Sequence, residues 1–242
     1  MNSSKSALAR IETAELMPPP DLPSRLDAAL GTDGLFHGLY QLAKREAHPD
    51  QYRRFMDFES QAETIEVYEP HVMPGLLQIR EYAYTLLRCP NDLTEEQIQE
   101  RVNARLSRQE RRHSEKRPFR WAIIDESTLR RQIGSRECMH KQLAALLEQV
   151  DTPDSKVQVM PFNAGPHSLM GGALNLLTLP VGSTMAYEEG IETAYLYEDR
   201  DAVKKWRRRY EVLRANALSL TESAELIRKA MEDYETCDTP PS

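Results

Sequence analysis

At Pro118 the hydrophobic periodicity of the chain changes, and that change limits the folds open to it. Upstream, apolar residues recur every three or four positions, the spacing of amphipathic helices. Downstream, "FRWAIIDE" is dense in β-branched and aromatic residues and reads as a buried strand. "KVQVMPF" follows with period-two alternation, "GGALNLLTLP" reads as a third strand, and "STMAYEEGIETAYLYED" as a hairpin around Glu189 and Gly190. Helical spacing returns in "STLRRQIGS" and "ECMHKQLAALLEQV". It returns again near the end, where Val203, Trp206, Tyr210 and Leu213 share a stripe and Ser219 with Glu222 forms a capping box. The expected class is α+β: a helical N-terminal half, a small mixed or antiparallel sheet of about four or five strands, and a helical C-terminal end.

The helical half carries its own punctuation. "MPPPDLPSRLDAALG" starts a helix after Pro20–Asp21, with Leu22, Leu26 and Leu30 on one face and Gly31 as the residue that ends it. "GLFHGLYQLAKREAH" is a second helix on Leu35, Leu39 and Leu42, closed by Pro49. Phe55, Phe58, Ala62 and Ile65 keep helical spacing until "VYEPHVMPG" breaks it. The helix resumes from Leu76, and Thr94 with Gln97 caps another whose buried stripe is Ile98, Val102 and Leu106.

Composition narrows the class of protein. With 242 residues, 40% hydrophobic and 29% charged, the chain can bury a sizeable core. No apolar run approaches the roughly 20 residues that cross a bilayer, and no apolar stretch of a secretory signal opens the sequence. Three irregularly spaced cysteines, Cys89, Cys138 and Cys237, argue against a disulfide framework and for the cytoplasm. A net charge of −7 means that any contact with nucleic acid needs a local basic patch.

Several phrases form a set. "FMDFESQAETIEVYEPHVMPGLLQIREYAYTLL", "WAIIDESTLRRQIG", "QLAALL", "VQVMPFNAGPHSLMGGALNLLTLP" and "ANALSLTESAELI" resemble, in order, the large C-terminal domain of actinobacterial XRE-type helix-turn-helix regulators of the antitoxin-like, WhiJ kind. The likeness covers nearly everything from Phe55 to Ile227. It implies a transcriptional regulator with an N-terminal DNA-binding domain, partnered by a small companion protein. "SALARIETAELMPPP" resembles the end of that family's recognition helix and the turn after it. Ala9, Arg10, Ile11 and Glu12 match in order, Ala14 stands where glycine is usual, and Leu16 where a basic residue is common.

The helices expected before that stretch are absent from the sequence, and a recognition helix reads bases only when packed on its scaffold. Ser4, Lys5, Ser6 and Arg10 are therefore a DNA-binding remnant. Two accounts fit: a truncated chain of a genuine regulator, or a descendant that has lost DNA binding. The domains expected are a helix-turn-helix remnant over 1–34, a large α+β domain over 35–235 and a disordered tail over 236–242. The function expected is regulation through a partner or small ligand bound by the large domain. The alternative is the same domain recruited as a cofactor-independent enzyme of specialised metabolism. No cofactor and no membrane are implied, DNA binding is weak without the missing helices, and a homodimer stays open.

Individual residues carry candidate chemistry. In "EPHVMPGLLQ", Pro70, Pro74 and Gly75 shape a loop before a helix, so His71, Pro74, Gly75, Leu76 and Tyr82 are candidates for ligand or partner contact. A rigid connector is the bland reading. If the domain is an enzyme, its pocket is expected from Glu59, Tyr68, His71, Tyr82, Glu126, His167 and Glu188. Carboxylates at strand ends, Asp125 with Glu126 and Glu188 with Glu189, suit acid–base work if the fold brings a pair together. Metal-ligand spacing is missing: Cys138 and His140 have no second pair. Arg101, Arg105, Arg108 and Arg112 share a face, read as solvated with Glu100, Glu110 and Glu115 as partners. "KKWRRRY" is a denser basic patch, with Trp206 and Tyr210 expected in the core.

Overall fold

The strand at the centre of the sheet is one that helical spacing conceals. Residues 64–69, "TIEVYE", form β1 (Thr64–Glu69), and its four inner residues are buried. Ile65 was expected to extend the preceding helix. The helix instead stops at Gln61, and Glu63 donates its N–H to the Thr178 carbonyl at 2.8 Å, opening a ladder. Thr64, Ile65 and Val67 are β-branched, which suits a strand packed on both faces.

The computed structural model describes residue 11 and residues 18–19, 21–89, 93–110, 117–180, 182–190 and 193–235, without the side chains of 41–50. The remnant residues Ser4, Lys5, Ser6 and Arg10, together with Arg112, Glu115 and the tail 236–242, lie outside the described residues. The chain divides into two compact units, 1–53 and 54–242.

In the first unit, α1 (Leu22–Leu30) ends as expected at Gly31, whose φ of 64° gives the left-handed cap. The Asp27 carboxylate accepts backbone N–H bonds from Phe36 and His37, both at 2.9 Å, at the start of α2 (Leu35–Gln61). Negative charge is favoured there by the exposed N–H groups of a helix start. α2 runs past Pro49, where a helix end was expected, and its last residues belong to the second unit. Proline removes one i→i−4 bond, and here that loss does not break the helix.

The second unit is built on a seven-stranded mixed sheet ordered β3-β4-β2-β1-β5-β6-β7. Its strands are β2 (Phe119–Asp125), β3 (Asp151–Thr152), β4 (Ser155–Met160), β5 (Ala173–Thr178), β6 (Thr184–Glu189) and β7 (Ala194–Tyr197). The α+β class agrees with expectation, but the sheet has seven strands and not four or five. The two extra are β1, hidden by helical spacing, and β3, too short to leave a pattern. β1 runs parallel to β2, and β2 to β4; β5, β6 and β7 continue antiparallel on the other side of β1.

Helices cover both faces. α3 (Arg80–Arg88) and α4 (Glu95–Gln109) connect β1 to β2, following a single 3-10 turn at Gly75–Leu77. α5 (Ser127–Arg130) and α6 (Arg136–Leu147) follow β2, and α7 (Arg200–Asn216) and α8 (Leu220–Glu232) end the described fold. Val67, Ala122, Ile124, Val157 and Val159 pack under Tyr82, Met139, Leu143, Leu146 and Ile227 on one face. Tyr68, Ile123, Leu174, Leu176 and Ala186 pack under Val203, Tyr210 and Leu213 on the other. The expected capping boxes at Thr94/Gln97 and Ser219/Glu222 are both formed. Among the described residues no helix is long and apolar enough to cross a membrane.

Ile123 has no exposed surface and lies between β1 and β4 on the face beneath α7. Ile123→Ala is expected to cost about 2–5 kcal/mol in chemical denaturation, whereas Met170→Ala, at an exposed loop position, is expected to shift stability by no more than about 0.5 kcal/mol.

Candidate functional site

α4 packs on α3 and is fastened to the segment after β1 and to α2 by polar side chains. Of its residues only Ile98, Val102 and Gln109 are buried. Arg105 donates to the Gln78 side chain at 2.9 Å, and the Gln109 amide donates to the carbonyls of Gly75 and Gln78 at 3.0 and 2.8 Å. Arg108 makes a forked pair with Glu59 of α2, at 2.9 Å through Nε and 2.5 Å through Nη2. The arginine face expected to be solvated is thus partly a fastening, because Gln78 and Glu59 lie within reach of its inner edge.

Two cavities flank this helix near the amino ends of β1, β2 and β4. One, of about 240 Å³, is lined by Glu59, Ile65, Leu76, Arg108, Pro118 and Arg120 among others. The second, of about 640 Å³, has an apolar wall of Leu77, Ile79, Leu106 and Ala145 and a polar wall that includes Gln109, Arg120, Gln149 and Asp154. Pro118 and Arg120 line both. Arg120 is a buried arginine on the same strand face as Ala122 and Ile124, and it donates to Gln149 at 3.3 Å. An apolar wall facing a few placed polar groups is the usual composition of a small-molecule site.

A different constellation occupies the carboxyl ends of the parallel strands. The chain from Pro161 to Gly172 must cross from β4 over β2 and β1 to reach β5, a span of roughly 14 Å at the usual strand spacing. Glu126 holds its start by accepting the Phe162 N–H at 3.1 Å, and its other oxygen meets Arg130 at 3.4 Å. At its far end Gly172 passes the Glu189 carbonyl so closely that an added Cβ would lie 2.8 Å from that oxygen. Midway, His167 stands 3.2 Å from the Tyr68 hydroxyl. The Leu169 N–H donates to His167 Nδ1 at 3.3 Å, so a neutral ring carries its proton on Nε2 and donates it to Tyr68. Burial lowers the His167 pKa, against the attraction of Asp125, while burial and the charges of Asp125 and Glu69 raise that of Tyr68. Both shifts favour the neutral pair.

The seven residues expected in one enzyme pocket are distributed. Tyr68 and His167 meet, with Glu126 at the same end of the sheet. Glu59 lies at the opposite end, with Arg108. Glu188 accepts a bond from Tyr197 at 3.2 Å, and His71 is exposed. Tyr82 is fully buried, its oxygen accepting the Met73 N–H at 3.2 Å, and burial pushes its pKa up to about 12. The "EPHVMPGLLQ" loop is fastened by Gln78, Gln109, Tyr82 and Gln142, and Leu76 lines the smaller cavity.

Sequence reasoning missed Arg120, Gln78, Gln109 and Gln142. Arg120 was signalled by its inward position in "FRWAIID"; the glutamines carried no signal. Of the strand-end carboxylates, the interacting pair is Glu69 with Glu189. Glu189 lies opposite Ala173 on β5, and burial, then Glu189, raises the Glu69 pKa to about 8 despite Arg105. Among the described residues no cluster of three or more His, Cys, Asp or Glu could hold a metal ion.

Breaking the Glu59–Arg108 pair by Glu59→Gln removes the charge that its forked bonds hold in a largely buried place and is expected to cost about 3 kcal/mol in urea unfolding. The Glu69 carboxyl holds its proton more tightly folded than unfolded, so its ionisation erodes stability as pH rises from the ordinary carboxylate range through about 8. Glu69→Gln is therefore expected to raise the melting temperature at pH 9 and leave it nearly unchanged at pH 5.

Residues 52–229 match a family model described as a domain of unknown function, DUF5753. No curated protein matches the chain, and no solved structure does. The match spans most of the sequence, including both constellations and every strand of the sheet, and the chain belongs to the DUF5753 family.

Proposed function

We propose that this chain is the ligand-responsive domain of an XRE-type, antitoxin-like regulator, and that a small molecule binds in the cleft flanking α4. The observation that carries this reading is the shared wall of the two cavities. Arg120 and Pro118 separate a 240 Å³ space from a 640 Å³ one, and α4 closes both through exchangeable hydrogen bonds. A ligand there competes for the side chains that fasten the helix, so occupancy changes how α4 is held. Such differential contact is what couples a binding event to a conformational equilibrium. The resemblance to helix-turn-helix regulators supplies the regulatory part of the proposal and a companion protein as the receiver of the change.

Ligand-observed NMR with a fragment library tests the reading. Fragments combining an apolar ring with a carboxylate or amide are expected to bind, and Ala145→Trp, which fills the larger cavity, is expected to abolish their binding while the fold persists. Absence of hits, or hits indifferent to Ala145→Trp, would contradict it.

The enzyme reading draws on a separate observation, the Tyr68–His167 pair at the carboxyl ends of the parallel strands, where ligands of open α/β sheets bind. On that reading Tyr68→Phe and His167→Ala each abolish turnover, and a cleft-blocking Ala145→Trp does not.

A further inference from the structure

The outer face of α7 carries an unpaired concentration of positive charge in an acidic chain. Arg200, Lys204 and Arg208 succeed one another once per helical turn, with Lys205 alongside, and all four are exposed. Among the described residues none of these four forms a salt bridge. The inner arginines of the same helix are committed elsewhere: Arg207 pairs with Glu66 at 2.6 Å, and Arg214 lies over the Trp121 ring and 3.8 Å from Glu66. Tyr210 is in the core as expected, but Trp206 is only half-buried. Arg209 covers it at 4.7 Å.

Exposed apolar surface accompanies this charge at one position of the helix and at the neighbouring sheet edge. Val212 is 58% exposed on the same face, and Tyr195 of the edge strand β7 is 49% exposed. Tyr195, Tyr197 and Trp206 form a continuous aromatic row from the sheet edge to the helix, with ring centroids 6.3 and 5.7 Å apart. Two acids, Asp201 and Glu211, are exposed on this side of α7.

We infer that this face docks a protein partner through an acidic segment carrying apolar side chains. Charge complementarity selects the sign: the chain as a whole is −7, so an acidic partner is repelled elsewhere and steered here. The exposed Tyr195 and Val212 select protein over nucleic acid. Tryptophan, tyrosine and arginine are the residues that anchor protein interfaces, a phosphate backbone offers Val212 nothing apolar to bury, and Asp201 and Glu211 break the run of cations that a polyphosphate would follow. Carboxylates of the partner meet Lys204, Lys205 and Arg208 while its apolar side chains cover Tyr195 and Val212. This surface is independent of the cleft beside α4.

Fluorescence anisotropy on the full chain tests the inference with three probes. These are a short labelled peptide alternating glutamate pairs with leucine and phenylalanine, a glutamate–serine peptide of equal charge, and a random-sequence DNA duplex. The leucine-containing peptide is expected to bind best. The exposed triple change Lys204→Glu, Lys205→Glu and Arg208→Glu is expected to weaken it by about tenfold or more. Val212→Ser with Tyr195→Ser, which leaves every charge in place, is expected to weaken the leucine-containing peptide and spare the glutamate–serine one. Tighter binding of DNA through the same cations would overturn the inference in favour of nucleic acid. Self-association abolished by the triple change would overturn it in favour of a second copy, and equal binding of the two peptides, or none, would overturn it outright.

Discussion

The structure of the second unit depends on β1 being paired on both sides. Its parallel partner β2 fixes the direction of the α/β-like half, and its antiparallel partner β5 starts the meander. Because β4 and β5 lie on opposite sides of the β1–β2 pair, the segment between them has to pass over the carboxyl ends of both strands. That crossing is what sets His167 against Tyr68. The same central position leaves the amino ends of β1 and β2 beside Pro118 and the last turn of α4, where Arg120 and the two cavities lie. Both candidate sites are thus consequences of one strand's placement, at opposite ends of it.

The two ends differ in how they are finished. At the carboxyl end the polar groups answer one another, tyrosine to histidine and glutamate to a loop N–H, and the neutral state is favoured by burial. At the amino end charged and amide side chains hold a helix that buries few apolar residues. The amide hydrogen bonds among these contribute only about 1 kcal/mol each in net terms, because water or a ligand can replace them, and the Glu59–Arg108 pair is the firmer attachment. A helix retained in that way is the element on which a bound molecule can act most readily.

Legibility followed the strength of the local signal. The strands "FRWAIID" and "KVQVM", the β6–β7 hairpin, the two capping boxes and the glycine stop at Gly31 were readable because each has a local physical cause. β1 was not, since a strand buried on both faces loses its alternation, and Ile65 happens to continue the spacing of Phe55, Phe58 and Ala62. The Tyr68–His167 contact joins residues 99 positions apart, and only the topology reveals it. Arg105 and Arg108 looked like a solvated face because their partners, Gln78 and Glu59, come from other elements.

The central claim is that α4 is a separately releasable wall of the cleft, and native-state hydrogen exchange measures this most directly. The account predicts that amides of Glu95–Gln109 exchange through a local opening at clearly lower free energy than those of β1 and β2. Exchange of α4 only together with the central strands, at the free energy of global unfolding, would contradict it.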